Sequence, residues 1–108
     1  MNKTMDIIIK TINANDCEYA VVSYEYDRVR FYQSKEETHF TELRISDEDF
    51  WDLKDHLLDN QIGEPQDVKW RKLAMFNTKH TYLAPDGTHF IFIIAGLFDG
   101  VDIKIQPR

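Results

Sequence analysis

Ser46-Asp47-Glu48-Asp49-Phe50-Trp51-Asp52-Leu53-Lys54-Asp55-His56-Leu57-Leu58-Asp59-Asn60 is the stretch on which the reading of the fold turns. Upstream of it apolar residues alternate with polar ones; within it they recur at a period of about 3.6. Phe50, Leu53, Leu57 and Leu58, with Trp51 at the margin, share one face of a helical wheel. Ser46 is a good N-cap, Asp49 makes an imperfect capping box with it, and acids fill the first turn, where the helix dipole favours them. One amphipathic helix is expected from about Asp47 to Asn60 (47–60), ending before Gly63 and Pro65.

Working outward, residues 5–12 are mostly β-branched and read as a first strand, followed by the turn cluster Asn13-Ala14-Asn15-Asp16. Cys17 to Tyr26 reads as a second strand, with Ala20, Val22, Tyr24 and Tyr26 on one face and Tyr19, Val21, Ser23 and Glu25 on the other. A weak turn at Asp27-Arg28 leads to a third, where Val29, Phe31 and Gln33 alternate with Arg30 and Tyr32. Ser34-Lys35-Glu36-Glu37 reads as a solvated turn. His39, Thr41, Leu43 and Ile45 then alternate with Phe40, Glu42 and Arg44 in a fourth, half-buried strand.

Downstream of the helix, residues 66–76 fit either an interrupted strand (Val68, Trp70, Ala74, Phe76) or a short helix, and strand is expected. Lys79 to Ala84, the turn Pro85-Asp86-Gly87 and Thr88 to Ala95 read as a hairpin. Phe90, Phe92 and Ile94 face one way and Ile91 and Ile93 the other, so this strand belongs in the sheet interior. After a turn at Leu97-Phe98-Asp99-Gly100, Val101, Ile103 and Ile105 alternate with Asp102, Lys104 and Gln106.

Strands in sequence with short links favour antiparallel pairing, and the helix must cover a sheet face. The expected fold class is α+β: a single domain, 1–108, with a bent antiparallel sheet of seven or eight strands and one amphipathic helix packed on it. A small barrel with a flanking or plugging helix is the alternative. The 108 residues suffice for one core. An apolar content of 43% excludes a disordered chain. Cys17 is alone, so no disulfide framework exists, which suits a reducing cytoplasm. The N-terminal apolar run, Ile7-Ile8-Ile9, is too short for a secretory leader, and Phe90 to Phe98 is too short to span a membrane.

Composition also locates the charge. The chain carries 19 Asp and Glu against 13 Lys and Arg, a net −6. Residues 46–60 hold six of the acids and only Lys54 among the bases, so the helix supplies −5 and the other residues together −1. Glu48, Asp52, Asp55 and Asp59 fall within about 60° of one another on the wheel, away from the apolar face. Lys54 has Trp51, Leu57, Phe50 and Leu58 as its helical neighbours and cannot neutralise them. Repulsion within the stripe costs on the order of 1 kcal/mol, and Asp is a poorer helix former than Glu. A solvated outer face accounts for the charge; it does not account for short Asp in place of Glu. An acidic ridge that meets a basic partner accounts for both, since a short carboxylate loses less entropy on docking and a one-sign stripe steers a cation.

Other constellations point to bland roles. His56, flanked at helical spacing by Asp52 and Asp59, reads as a surface pair with them. If Asp86-Gly87 is a two-residue loop, Ala84 faces His89 and His80 faces Ile93; His80 and His89 then share a face, too far apart for one metal ion. Lys69-Trp70-Arg71-Lys72 reads as a packed Trp with snorkelling cations. Cys17 has no histidine beside it to activate it. No phosphate loop, nucleophile elbow or metal-ligand spacing is present. Neither a catalytic residue, a metal nor a cofactor is expected, and the negative net field argues against nucleic acid.

The expected function is therefore a non-catalytic protein-binding module that docks Glu48, Asp52, Asp55 and Asp59, with His56, on a basic protein. Small acidic inhibitors, immunity proteins and anti-defence proteins offer an analogy of charge and size. Two alternatives remain: a self-associating domain that dimerises through a Tyr-rich sheet face, and a ligand-binding or enzymatic domain with a pocket between helix and sheet.

Overall fold

A computed structural model of the chain describes residues 2–33, 40–70, 76–97 and 100–108. Seven strands are present: β1 (Tyr19–Ser23), β2 (Arg28–Tyr32), β3 (Phe40–Arg44), β4 (Gln61–Asp67), β5 (Phe76–Leu83), β6 (His89–Leu97) and β7 (Gly100–Pro107). They form one antiparallel sheet in the order β3-β2-β1-β7-β6-β5-β4. Two helices, α1 (Lys3–Ala14) and α2 (Asp47–Asp59), complete an α+β fold. The sheet is open: among the described residues no ladder joins β3 to β4, so the barrel alternative is not formed. No described helix is long and apolar enough to cross a membrane.

Strand alternation sorts the side chains. Ala20 and Val22, Val29 and Phe31, Phe90 and Phe92, and Ile103 and Ile105 share one face, where Met5, Ile8 and Ile12 of α1 and Phe50, Leu53 and Leu57 of α2 close the core over them. α2 connects β3 at one sheet edge to β4 at the other, and so crosses the covered face with one side buried and one facing out.

Residues 5–12 are helix, not the expected strand. The β-branched run misleads because local propensity is weak beside packing. Met5, Ile8 and Ile12 stand at i, i+3 and i+7 and are buried, whereas Ile7 is 43% exposed. Asn2 caps the helix, its Oδ1 accepting from the Met5 N–H at 2.9 Å. Among the described residues the helix count is therefore two.

Three smaller corrections follow from register. The expected second strand stops at Ser23, and Tyr24 to Asp27 make the turn into β2, with Asp27 at φ +50°. β4 begins directly after α2 rather than at residue 66; a register shift between Ile62 and Gln66, with Gly63 at φ +73°, accommodates Pro65 on this edge strand. Of the 66–76 reading, residues 71–75 lie outside the described part, as do the expected turn at 34–37, His39, and residues 98–99 of the last turn. The Ala84 N–H donates to the Thr88 carbonyl at 2.8 Å and closes the β5–β6 turn around three residues, Pro85-Asp86-Gly87, with Gly87 at φ +90°. His80 thus pairs with Phe92 rather than Ile93, and Leu83 rather than Ala84 pairs with His89. That one-residue difference puts His80 and His89 on opposite faces.

Candidate functional site

The outward side of α2 is built from the helix upward. Ser46 Oγ accepts from the Asp49 N–H at 3.1 Å and fixes the start. Phe50, Leu53 and Leu57 anchor the inner side, which fixes the rotation of the whole helix. Glu48, Asp52, Asp55 and Asp59 are consequently exposed together on one ridge. Among the described residues none of them makes an ion pair. Lys54, the helix's own cation, lies over the Trp51 ring at 5.0 Å.

Two features of this ridge escape a helical wheel or are undervalued by it. Trp51, expected at the margin of the core, is 39% exposed and borders the acidic stripe. It is held edge-on against Phe50, with ring centroids 5.3 Å apart, and tilted against Tyr24 at 5.2 Å. Its position one step from Asp55 on the wheel was the available signal. The second feature is Asp27, on the β1–β2 turn. Its carboxyl stands beside that of Asp47, and the proximity of the two acids holds the Asp47 carboxyl above the ordinary range. No local pattern links residues 27 and 47; only the docking of α2 beside that turn brings another acid to the start of the helix.

His56 does not pair with Asp52 or Asp59. Its ring turns inward, with Nε2 2.9 Å from Tyr82 Oη and the rings 5.5 Å apart, edge to face. Asn60 Nδ2 lies 3.3 Å from His56 Nδ1. An amide NH2 only donates, so Nδ1 accepts and Nε2–H donates to Tyr82. Burial pushes the imidazole below its usual value of 6.5 and the Tyr82 phenol above its own. Nearby on the inner side, His80 Nδ1 donates to Gln61 Oε1 at 2.6 Å while its ring stacks on Phe92 at 4.7 Å. Its Nε2 is buried without a hydrogen-bond partner, and burial again lowers the imidazole.

The uncovered sheet face is the second polar surface. Arg28 and Arg30 both bond Glu42 Oε1, at 3.0 and 2.7 Å. Arg30 first, then Arg28, holds the Glu42 carboxyl below the usual range. Tyr19 stacks on Tyr32 at 5.0 Å, and Trp70 packs against this small cluster with Val21. Lys104 Nζ lies 4.4 Å over the Tyr19 ring. Tyr19, Tyr32 and Tyr82 are therefore buried; Tyr26 alone of the five tyrosines is largely exposed, which leaves little phenol for a tyrosine-built dimer surface. Cys17 is buried, and burial and then Asp16 push its thiol up, away from a thiolate nucleophile. A groove of about 330 Å³ between α1 and the β5–β6 turn, with Ile9, Ala84 and Pro85 in its wall, is predominantly apolar.

Comparison of the chain with protein-family models, with curated proteins and with solved structures finds no match.

Proposed function

We propose that this chain is a non-catalytic protein-binding module that docks the outward ridge of α2 on a basic site of another protein, in the manner of a small acidic inhibitor, immunity or anti-defence protein. One observation carries the reading: Glu48, Asp52, Asp55 and Asp59 are exposed in a row with no described cation paired to them. The exposed Trp51 beside them supports it, because tryptophan is enriched among residues that dominate binding energy. A row of unpaired like charges destabilises the free protein slightly and is relieved by a cationic partner.

The test is affinity capture from the source cells with the wild-type chain and with Asp52→Asn/Asp55→Asn/Asp59→Asn, followed by measured affinity for the captured protein. The expected partner is basic, its affinity drops at least about tenfold with the triple variant, and raised salt mimics the loss. Trp51→Ala weakens the same complex further. Wild-type affinity in the triple variant overturns the reading.

A further inference from the structure

The open sheet has two edges, and they differ. On β4 a register shift between Ile62 and Gln66, Gly63 at φ +73° and Pro65, which has no N–H, interrupt the outward row of backbone groups. β3, at the other edge, carries no such interruption. Its pairing with β2 is regular from Phe40 to Arg44, and the Ile45 N–H continues it to the Asp27 carbonyl at 3.1 Å. Ser46 is still extended, at φ −80° and ψ 161°. Phe40 to Ser46 is thus one extended stretch with Leu43 at its centre. Among the described residues no strand pairs with its outer side.

Backbone hydrogen bonds alternate sides along an antiparallel strand. The Ile45 bond to β2 fixes the phase: Thr41, Leu43 and Ile45 turn their backbone groups to β2, and Phe40, Glu42 and Arg44 turn theirs outward. Arg44 is exposed, stands directly opposite Arg28 and makes no ion pair among the described residues. Like charges opposed across a ladder repel. Glu42, on the same sheet face, accepts from Arg28 and Arg30 through Oε1 alone, which leaves Oε2 without a described partner. Leu43, on the other face, is 37% exposed. Charges on an edge strand ordinarily deter pairing. Here they are of opposite sign and two positions apart. Full overlap of two copies of Phe40 to Ser46 about Leu43 sets Glu42 of each chain opposite Arg44 of the other; with the axis at Glu42 or at Arg44, a charge meets its own copy.

We propose that β3 is a self-association edge on which a second copy of this chain adds its own β3, antiparallel and about a two-fold axis at Leu43, to make one continuous sheet. Glu42 and Arg44 exchange backbone N–H···O=C bonds with Arg44 and Glu42 of the second copy, and each Arg44 guanidinium donates to the open Oε2 opposite it. The two Leu43 side chains meet at the axis as a close, non-hydrogen-bonded pair. Ser46 of each chain lies opposite Phe40 of the other, so the two starts of α2 stand about 20 Å apart and their acids do not crowd each other. This edge is separate from the outward ridge of α2, so neither proposal depends on the other.

The full chain is followed by sedimentation equilibrium over a concentration series up to its solubility limit. The expected mass rises from monomer to dimer. Arg44→Glu opposes like charges at both contacts and weakens self-association at least about tenfold. Glu42→Arg does the same, and an equimolar mixture of the two variants recovers the dimer, because every opposed pair is again of opposite sign. Leu43→Cys cross-links two copies on oxidation, whereas Thr41→Cys, whose copies stand about 14 Å apart in this register, does not. A wild-type mass that stays monomeric throughout overturns the proposal. So does a dimer that Arg44→Glu leaves intact or that Leu43→Cys fails to cross-link, which would put self-association on another surface. None of these overturning results depends on Glu42→Arg folding.

Discussion

The outer side of α2 and the uncovered face of the sheet lie on opposite sides of the molecule and handle charge in opposite ways. On α2, Glu48, Asp52, Asp55 and Asp59 stand exposed with no described counter-ion, while Lys54 rests on Trp51. On the sheet, charges meet partners across strands: Arg28 and Arg30 share Glu42, and Lys104 rests on Tyr19. The net −6 conceals this contrast, since most of it belongs to one helix. Paired charges fix local geometry and project a weak field; unpaired ones of one sign project a field far from the surface and steer what approaches.

The contrast extends through α2 itself, and the largest effect tests its inner side. Leu53 is fully buried, so Leu53→Ala lowers unfolding free energy by about 2–5 kcal/mol in urea denaturation. A loss no larger than that of a surface substitution would mean that α2 is not anchored as described, and the ridge would lose its fixed orientation. The next effect is pH-dependent and also acts on the inner side. Burial lowers His56 and His80 from 6.5, so the unfolded chain binds more protons than the folded one below that value. Stability is unaffected by these groups above about 6.5 and falls as pH drops from there through their lower folded values. The slope is at most about 1.4 kcal/mol per pH unit for each group. His80→Gln flattens that part of the profile, and an unchanged slope breaks the link to the buried imidazole.

The outer side behaves oppositely. Asp52→Asn/Asp55→Asn/Asp59→Asn leaves stability unchanged or raises it by on the order of 1 kcal/mol, and added salt narrows the difference from wild type. A clear loss in thermal melts would show that these acids have structural partners. The smallest change in stability is expected on the sheet. Glu42→Gln removes the shared partner of two solvent-facing arginines, so the melting temperature barely moves.

Much of this contrast is legible along the chain. The period of 3.6 from Phe50 to Leu58 places the inner side of α2, and the same wheel places the acids opposite. The alternation of faces expected from Val29 and from Val101 is observed over Val29 to Tyr32 in β2 and Val101 to Gln106 in β7, with Gln33 beyond the strand. What misleads is Met5 to Ile12, where three consecutive isoleucines suggest a strand although Met5, Ile8 and Ile12 already keep helical spacing. His56 misleads differently: its neighbours at i−4 and i+3 are acids, but its ring is claimed by Tyr82, 26 positions away.

The sequence by itself determined the location of α2, the one-sided placement of its acids and the two-faced character of most strands, because these depend on residues two to four positions apart. Only the tertiary structure decided that residues 3–14 are a helix, that His80 and His89 part to opposite faces, and that Asp27 joins Asp47. It alone aligned Arg28, Ser23 and Asp102 in one row. Those outcomes depend on strand register and on which surfaces bury each other. Both are settled by pairings between distant parts of the chain, which no local period encodes.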